Sequence, residues 1–194
     1  FTWGRNTQGQ LGDSTIVGKS SPVQIGSSSW TVVTAGLSHT AAIRSGGTLF
    51  AWGYNGTGQL GDGTLNGRSS PVQIGSSSWT AVSAGAYHAG AIRSDNLLFT
   101  WGQNSSGQVG DSTLNNRSSP VQIGSRIIVQ SSPVVIASSA SWTVVAAGYA
   151  HVAAIRSDGY LFTWGYNNPG CLGDGSTTSR SSPVQIGSSS WTAV

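Results

Sequence analysis

The tryptophan–glycine pairs of this 194-residue chain fall at Trp3, Trp52, Trp101 and Trp164, spaced 49, 49 and 63 residues apart. A second series, Trp30, Trp79, Trp142 and Trp191, runs at 49, 63 and 49, and His39, His88 and His151 run at 49 and 63. RSSPVQIGSSSW occupies residues 68–79, returns unchanged at 180–191, and stands at 19–30 with Lys for Arg. Self-similarity at a fixed period of roughly 20–50 residues marks a stacked-repeat architecture. Each unit of such an array packs mainly on its neighbours, so every face must fit the next one. No other feature restricts the fold as tightly.

Within one unit the signals are those of β-structure. WTAVSAG (79–85) and HAGAIRS (88–94) alternate small or apolar residues with polar ones, and LLFTWG (97–102) adds a third strand bearing Phe99 and Trp101. Asp95-Asn96 and Ser157-Asp158-Gly159 make turns between such runs. QNSSGQVGDSTLNNRSS (103–119) reads as a loop, and PVQI (120–123) as a fourth strand whose proline suits an edge. No helical periodicity occurs anywhere. Four short strands in a unit of roughly 40–50 residues describe a propeller blade. The expectation is one all-β repeat domain over 1–194, with blades of four antiparallel strands. About four units are visible, near 1–48, 49–97, 98–160 and 161–194.

Composition agrees with a folded, turn-rich chain. Charged residues make up 8%, against about 25% in ordinary soluble proteins. Disordered chains are poor in aromatics and rich in net charge, whereas this one has eight Trp and a net charge of +3. Without a basic run it has no nucleic-acid footprint, so no specific nucleic acid is expected as partner. The one cysteine, Cys171, takes a slot held by Gln elsewhere and supplies neither a disulfide framework nor a thiolate cluster. No apolar run approaches the ~20 residues of a membrane-spanning helix. No cofactor or metal is expected.

LFAWGYNGTGQLGDGT (49–64) and WTAVSAGAYHAGAIRSD (79–95), joined by SPVQI, resemble the regulator-of-chromosome-condensation repeat across nearly the whole chain. The resemblance implies a propeller, commonly of seven blades, and a blade-stabilising part for the repeated His. It implies functions ranging from guanine-nucleotide exchange on a small GTPase to chromatin, ubiquitin-ligase and adhesive scaffolding. The chain opens in a third strand at FTWG and closes at WTAV, a first strand; four full units would take 210 residues, 16 more than are present. Part of a longer ring, an assembly completed by other chains and an open array all fit, and the first is preferred.

Two sets of positions stand out. Trp3, Trp52, Trp101, Trp164, His39, His88 and His151 are structural repeat positions, since symmetry spreads them around an axis rather than bringing them together. The arginines of AIRS (44, 93, 156), those of RSSP (68, 117, 180) with Lys19, and the aspartates of LGD (13, 62, 111, 174) are expected to pair and solvate loops. Sequons at Asn55, Asn104 and Asn116 are frequent by chance in a chain so rich in Asn, Ser and Thr. The insertion near 126–140 has no symmetry mate. Its RIIV and VVI segments read as a hairpin with an apolar face, making Arg126, Ile127, Ile128, Val129, Val134, Val135 and Ile136 candidate partner contacts. It is similar in kind to the hairpin with which exchange-factor members of the family engage their GTPase, although not in sequence.

An enzyme needs different groups converging on one point, and near-identical units instead repeat one group at rotated positions. The expected function is therefore a non-enzymatic protein-interaction or structural scaffold, binding a protein or itself, with a lean towards an extracellular or virion setting. A regulatory propeller acting on a small GTPase through the insertion is the alternative, and a carbohydrate-binding propeller a third.

Overall fold

The computed structural model describes residues 1–124 and 140–194, and all regular structure among them is β-strand. The candidate contacts Arg126, Ile127, Ile128, Val129, Val134, Val135 and Ile136 lie outside the described residues. In chain order the strands are β1 (Thr2–Gly4), β2 (Lys19–Val23), β3 (Trp30–Ala35), β4 (His39–Arg44), β5 (Thr48–Gly53) and β6 (Arg68–Ala84). They continue with β7 (His88–Arg93), β8 (Leu98–Gly102), β9 (Arg117–Ile123), β10 (Trp142–Ala147), β11 (His151–Arg156), β12 (Leu161–Gly165) and β13 (Arg180–Ile186).

All pairings are antiparallel between sequence neighbours. The first blade is β3–β4–β5 with the start of β6, the second is the end of β6 with β7–β8–β9, and the third is β10–β11–β12–β13. A two-stranded piece, β1–β2, precedes them. The architecture is a partial β-propeller. One departure from separate strands is β6, which runs unbroken for 17 residues as the last strand of one blade and the first of the next. Its Ser-rich middle stays extended because Thr48 of β5 pairs with Ser78.

The second strands of the first two blades, HTAAIR and HAGAIR, are buried on both faces, where only small residues fit as sheet packs on sheet, whereas in HVAAIR of the third His151 and Ala153 are only half-buried. Burial is set by what stands next door. Val82 is 7% exposed against the first blade, whereas its repeat mate Val33, facing the two-stranded piece, is 64% exposed. The core therefore lies between blades. One cluster joins Ala41, Ile43 and Leu49 of the first blade to Val82, Ala89 and Trp101 of the second. Another joins Ile92, Leu98 and Ile123 to Trp142, Val152 and Trp164.

The strand directions give the propeller two rims. One carries the tight β4–β5, β7–β8 and β11–β12 turns and the segments leading into each first strand. The other carries the Ala-Gly-x-x-His turns and the long loops at 54–67, 103–116 and 166–179. The latter is called the loop rim below.

Candidate functional site

Each long loop is built around one asparagine. Asn6, Asn55, Asn104 and Asn167 are fully buried. Asn55 Nδ2 donates to Asp62 Oδ1 at 3.0 Å and to the carbonyls of Thr64 and Asn66 at 3.0 and 3.1 Å, while its Oδ1 accepts from the Leu60 N–H at 3.0 Å. Asn104 and Asn167 repeat the pattern on Asp111 and Asp174. Satisfying a buried amide completely removes the penalty of an unpaired polar group and fixes the loop in one shape. Asn55 and Asn104 are consequently unavailable as glycan acceptors, and Asn116 spends its Oδ1 on the Asn104 N–H.

The aspartates of LGD finish the staple. Asp62 Oδ1 accepts from the N–H and hydroxyl of Thr64, and Oδ2 takes Arg68 at 2.9 Å. Burial alone would raise the Asp62 and Asp111 carboxyls, but hydrogen bonds from Thr64 and Arg68, or Thr113 and Arg117, outweigh it and hold both below the usual carboxylate range. Ser176 and Arg180 do the same for Asp174. Lys19 pairs with Asp13 at 3.4 Å. Arg93 and Arg156 pair with Asp95 and Asp158, while Arg44, followed by Ser-Gly-Gly, lies 4.2 Å from the centre of the Phe50 ring instead. The cations of the two sequence rings are thus held locally in pairs or on aromatic faces.

The tryptophans join blade to blade. The Trp52, Trp101 and Trp164 indole N–H groups each donate at 3.0 Å to a loop carbonyl of the preceding blade, those of Gln10, Gln59 and Gln108. Trp30, Trp79 and Trp142 meet Phe50, Phe99 and Phe162 edge-on with centroids 5.4–5.6 Å apart. Such pairs add about 0.5–1.5 kcal/mol beyond burial. Trp3 stands apart from its repeat mates in being 61% exposed.

The histidines open the second strand of each blade, at its loop-rim end. His39 and His88 are each 1% exposed, and burial pushes both down to about 4. His88 Nε2 lies 3.2 Å from the His151 carbonyl of the next blade, and a carbonyl can only accept, so the neutral Nε2–H tautomer is present. The structure spreads the three histidines over three blades.

The loop rim carries exposed side chains that differ from one unit to the next. Within Ala-Gly-x-x-His the units carry Leu37-Ser38, Ala86-Tyr87 and Tyr149-Ala150, and after Trp-Gly they carry Arg5, Tyr54, Gln103 and Tyr166. Leu37, Tyr149, Tyr54 and Tyr166 are 54, 72, 36 and 41% exposed. Tyr54 and Tyr87 stack edge-on at 6.3 Å across the first two blades. A groove of about 370 Å³ runs over them, lined also by Arg5, Leu37 and Gln103. A cleft of about 800 Å³ lies between the second and third blades, lined among the described residues by Asp111, Arg117, Trp142, Arg156 and Phe162. Gly124 and Ala140, which flank the insertion, border it.

Comparison with known proteins agrees with this architecture. The family described as Regulator of chromosome condensation (RCC1) repeat matches residues 1–43, 46–92, 95–155 and 158–194, and a second description of the repeat matches 30–59, 79–108 and 142–171. The chain belongs to the RCC1 repeat family. Among solved structures it is similar to Prp20p from Saccharomyces cerevisiae, at 20% identity and a TM-score of 0.75, over 96% of this chain and 45% of that one. A structure of yeast Prp20 bound to Kap60 gives 19% identity and 0.74, over 96% and 44%. Human WBSCR16 gives 22% identity and 0.54, over 94% of this chain and 61% of that one. The RCC1-repeat chain spans less than half of Prp20 and about three fifths of WBSCR16, and at these identities the likeness is one of fold.

Proposed function

We propose that this chain is a non-enzymatic protein-interaction scaffold that recognises its partner on the loop rim. One observation carries the reading: where near-identical units differ, the differing side chains include exposed tyrosines and Leu37, gathered on one surface. Tyrosine suits recognition because it offers a large contact area with a polar tip at low entropic cost. The titratable groups support a non-catalytic role. The loop aspartates are bound into staples, and the two most buried histidines are shut off from solvent. The joint tryptophans, at most 2% exposed, are withdrawn from any sugar-stacking surface. To test the reading, a photo-crosslinker at position 149 captures the partner, whose affinity is then measured with both proteins purified. Tyr149→Ala and Tyr166→Ala together should weaken binding at least tenfold with an unchanged melting temperature. Equal affinity sinks the reading.

A second reading assigns the insertion, through Arg126, Ile127, Ile128, Val129, Val134, Val135 and Ile136, to a small GTPase. It is favoured by the likeness to Prp20p, whose structure was described together with binding to Gsp1p and histones. Deleting residues 126–139 should then abolish stimulated nucleotide release while leaving loop-rim binding intact; no stimulation by the unaltered chain disposes of it.

A further inference from the structure

Each of the three blades ends its second strand on an arginine: Arg44, Arg93 and Arg156. In two of them the tight turn that follows supplies an aspartate. Arg93 Nε donates to the two Asp95 oxygens at 3.0 and 3.1 Å, and its Nη2 to Oδ2 at 2.6 Å. Arg156 Nε holds Asp158 in the same way, at 3.0 and 2.9 Å. The carboxylate comes from the arginine's own turn, not from the neighbouring blade. Asp95, in the blade ahead of Arg156, turns back to Arg93 and leaves Arg156 to Asp158.

In the first blade the turn reads Arg44-Ser45-Gly46-Gly47, with glycine where the aspartate stands. Gly46 and Gly47 have φ of 98° and 85°, and no atom lies within 4 Å of a Cβ built on Gly46. The tip of this turn is open space. The arginine is nevertheless kept and held: its Cζ lies 4.2 Å from the centre of the Phe50 ring and 5.1 Å from that of Trp30, against 4.8 Å between Arg93 and Phe99. Two aromatic faces attract the cation, but its buried Nε has no hydrogen-bond partner among the described residues. The chain has no spare carboxylate to offer. Its six acidic side chains are all aspartates, and each already forms an ion pair with another cation.

We propose that Arg44 is a carboxylate-binding site, taking from outside the chain the group that Asp95 and Asp158 supply from within it. Three features fit this ligand. The planar guanidinium fork matches a carboxylate, as the two sister blades show. The place of the carboxylate opens to solvent, since the Asp95 and Asp158 side chains are 50 and 45% exposed where they stand. The aromatic rings fix the arginine beforehand, which lowers the ordering cost of binding. One such contact is weak by itself, so millimolar probe concentrations are needed to see it. The site lies on the rim of tight turns, opposite the loop rim, and stands without the reading proposed for that surface.

Proton–nitrogen NMR of the arginine Nε–H groups tests it, with the Arg44 signal identified by its loss in Arg44→Lys. The probe is the acetylated and amidated peptide Ser-Asp-Gly-Tyr, the turn sequence of residues 157–160. The Arg44 signal should move several-fold further than those of Arg93 and Arg156, whose forks are occupied. The same peptide with Asn for Asp should move none of them. Gly46→Asp, which reproduces the Ser-Asp-Gly turn of the third blade, should abolish the response while the Arg93 and Arg156 signals keep their positions and report an intact fold. Sodium acetate at the same concentration separates two sources of the group. A shift equal to the peptide's assigns the site to a free carboxylate, and a smaller one to an acidic side chain on a peptide. An Arg44 signal that stays still with both probes, an equal response to the Asn peptide, or a response that survives Gly46→Asp overturns the proposal. So does inorganic phosphate acting at lower concentration than the peptide.

Discussion

At the scale of single residues, burial of polar groups decides most of what this chain can do. Asn55 and Asn104 each satisfy several partners at once. Asn104→Ala would strand the Val109 N–H and remove three donated bonds, and should cost about 2–4 kcal/mol, read as a fall in the urea midpoint at constant slope. The asparagine was legible in principle, since it precedes the LGD aspartate by seven residues in all four units. In a Gly- and Ser-rich stretch, however, Asn reads as turn chemistry and its burial leaves no mark in the sequence. The histidines make a pH prediction. Unfolded, they take up protons below their ordinary 6.5; folded, His39 and His88 resist until about 4. The unfolded state thus binds more protons in that window, so stability is whole above 6.5 and declines as pH falls towards 4, by about 2 kcal/mol per histidine at pH 5. Thermal melts from pH 7.5 to 4.5 should show this slope, and His39→Gln with His88→Gln should flatten it whatever they do to the absolute melting temperature.

At the scale of strands and loops, the same sequence behaves according to its neighbours. Val33 and Val82 occupy one repeat position and differ ninefold in exposure because only Val82 has a complete blade against it. RSSPVQIGSSSW is one continuous strand entering the second blade, yet at 180–191 the strand stops at Ile186. The loop glycines make this contrast measurable. Gly110 and Gly173 have φ of 77° and 70°, so alanine at either carries comparable backbone strain, of order 1 kcal/mol. At Gly110 it also strikes the Trp164 indole, whereas at Gly173 the space is open. Gly110→Ala should therefore lower stability by about 2 kcal/mol more than Gly173→Ala in chemical denaturation. Equal losses would show that the joint relaxes around the extra methyl.

At the scale of the whole molecule, the repeat spreads its core across joints between blades instead of collecting it in one place. Stability then depends on how many joints are made, as in a one-dimensional stack. Trp101→Ala, which empties the joint between the first two blades, should cost about 3–5 kcal/mol and separate the unfolding of the two sides. A single cooperative transition with unchanged slope would contradict that. Tyr149 and Tyr166, 72 and 41% exposed, stand clear of these joints, whereas Tyr54 meets Tyr87 across the first two blades.

The forty-nine-residue beat, the four strands per blade and the all-strand character of the described residues were determined by sequence alone, because a repeated pattern of period-two strands and glycine turns buries its faces by stacking one sheet on the next. What the sequence could not convey is anything that depends on a neighbour across space. Which valine is buried, why asparagine holds each loop, and which of two glycines has room for a methyl all follow from how one blade meets the next.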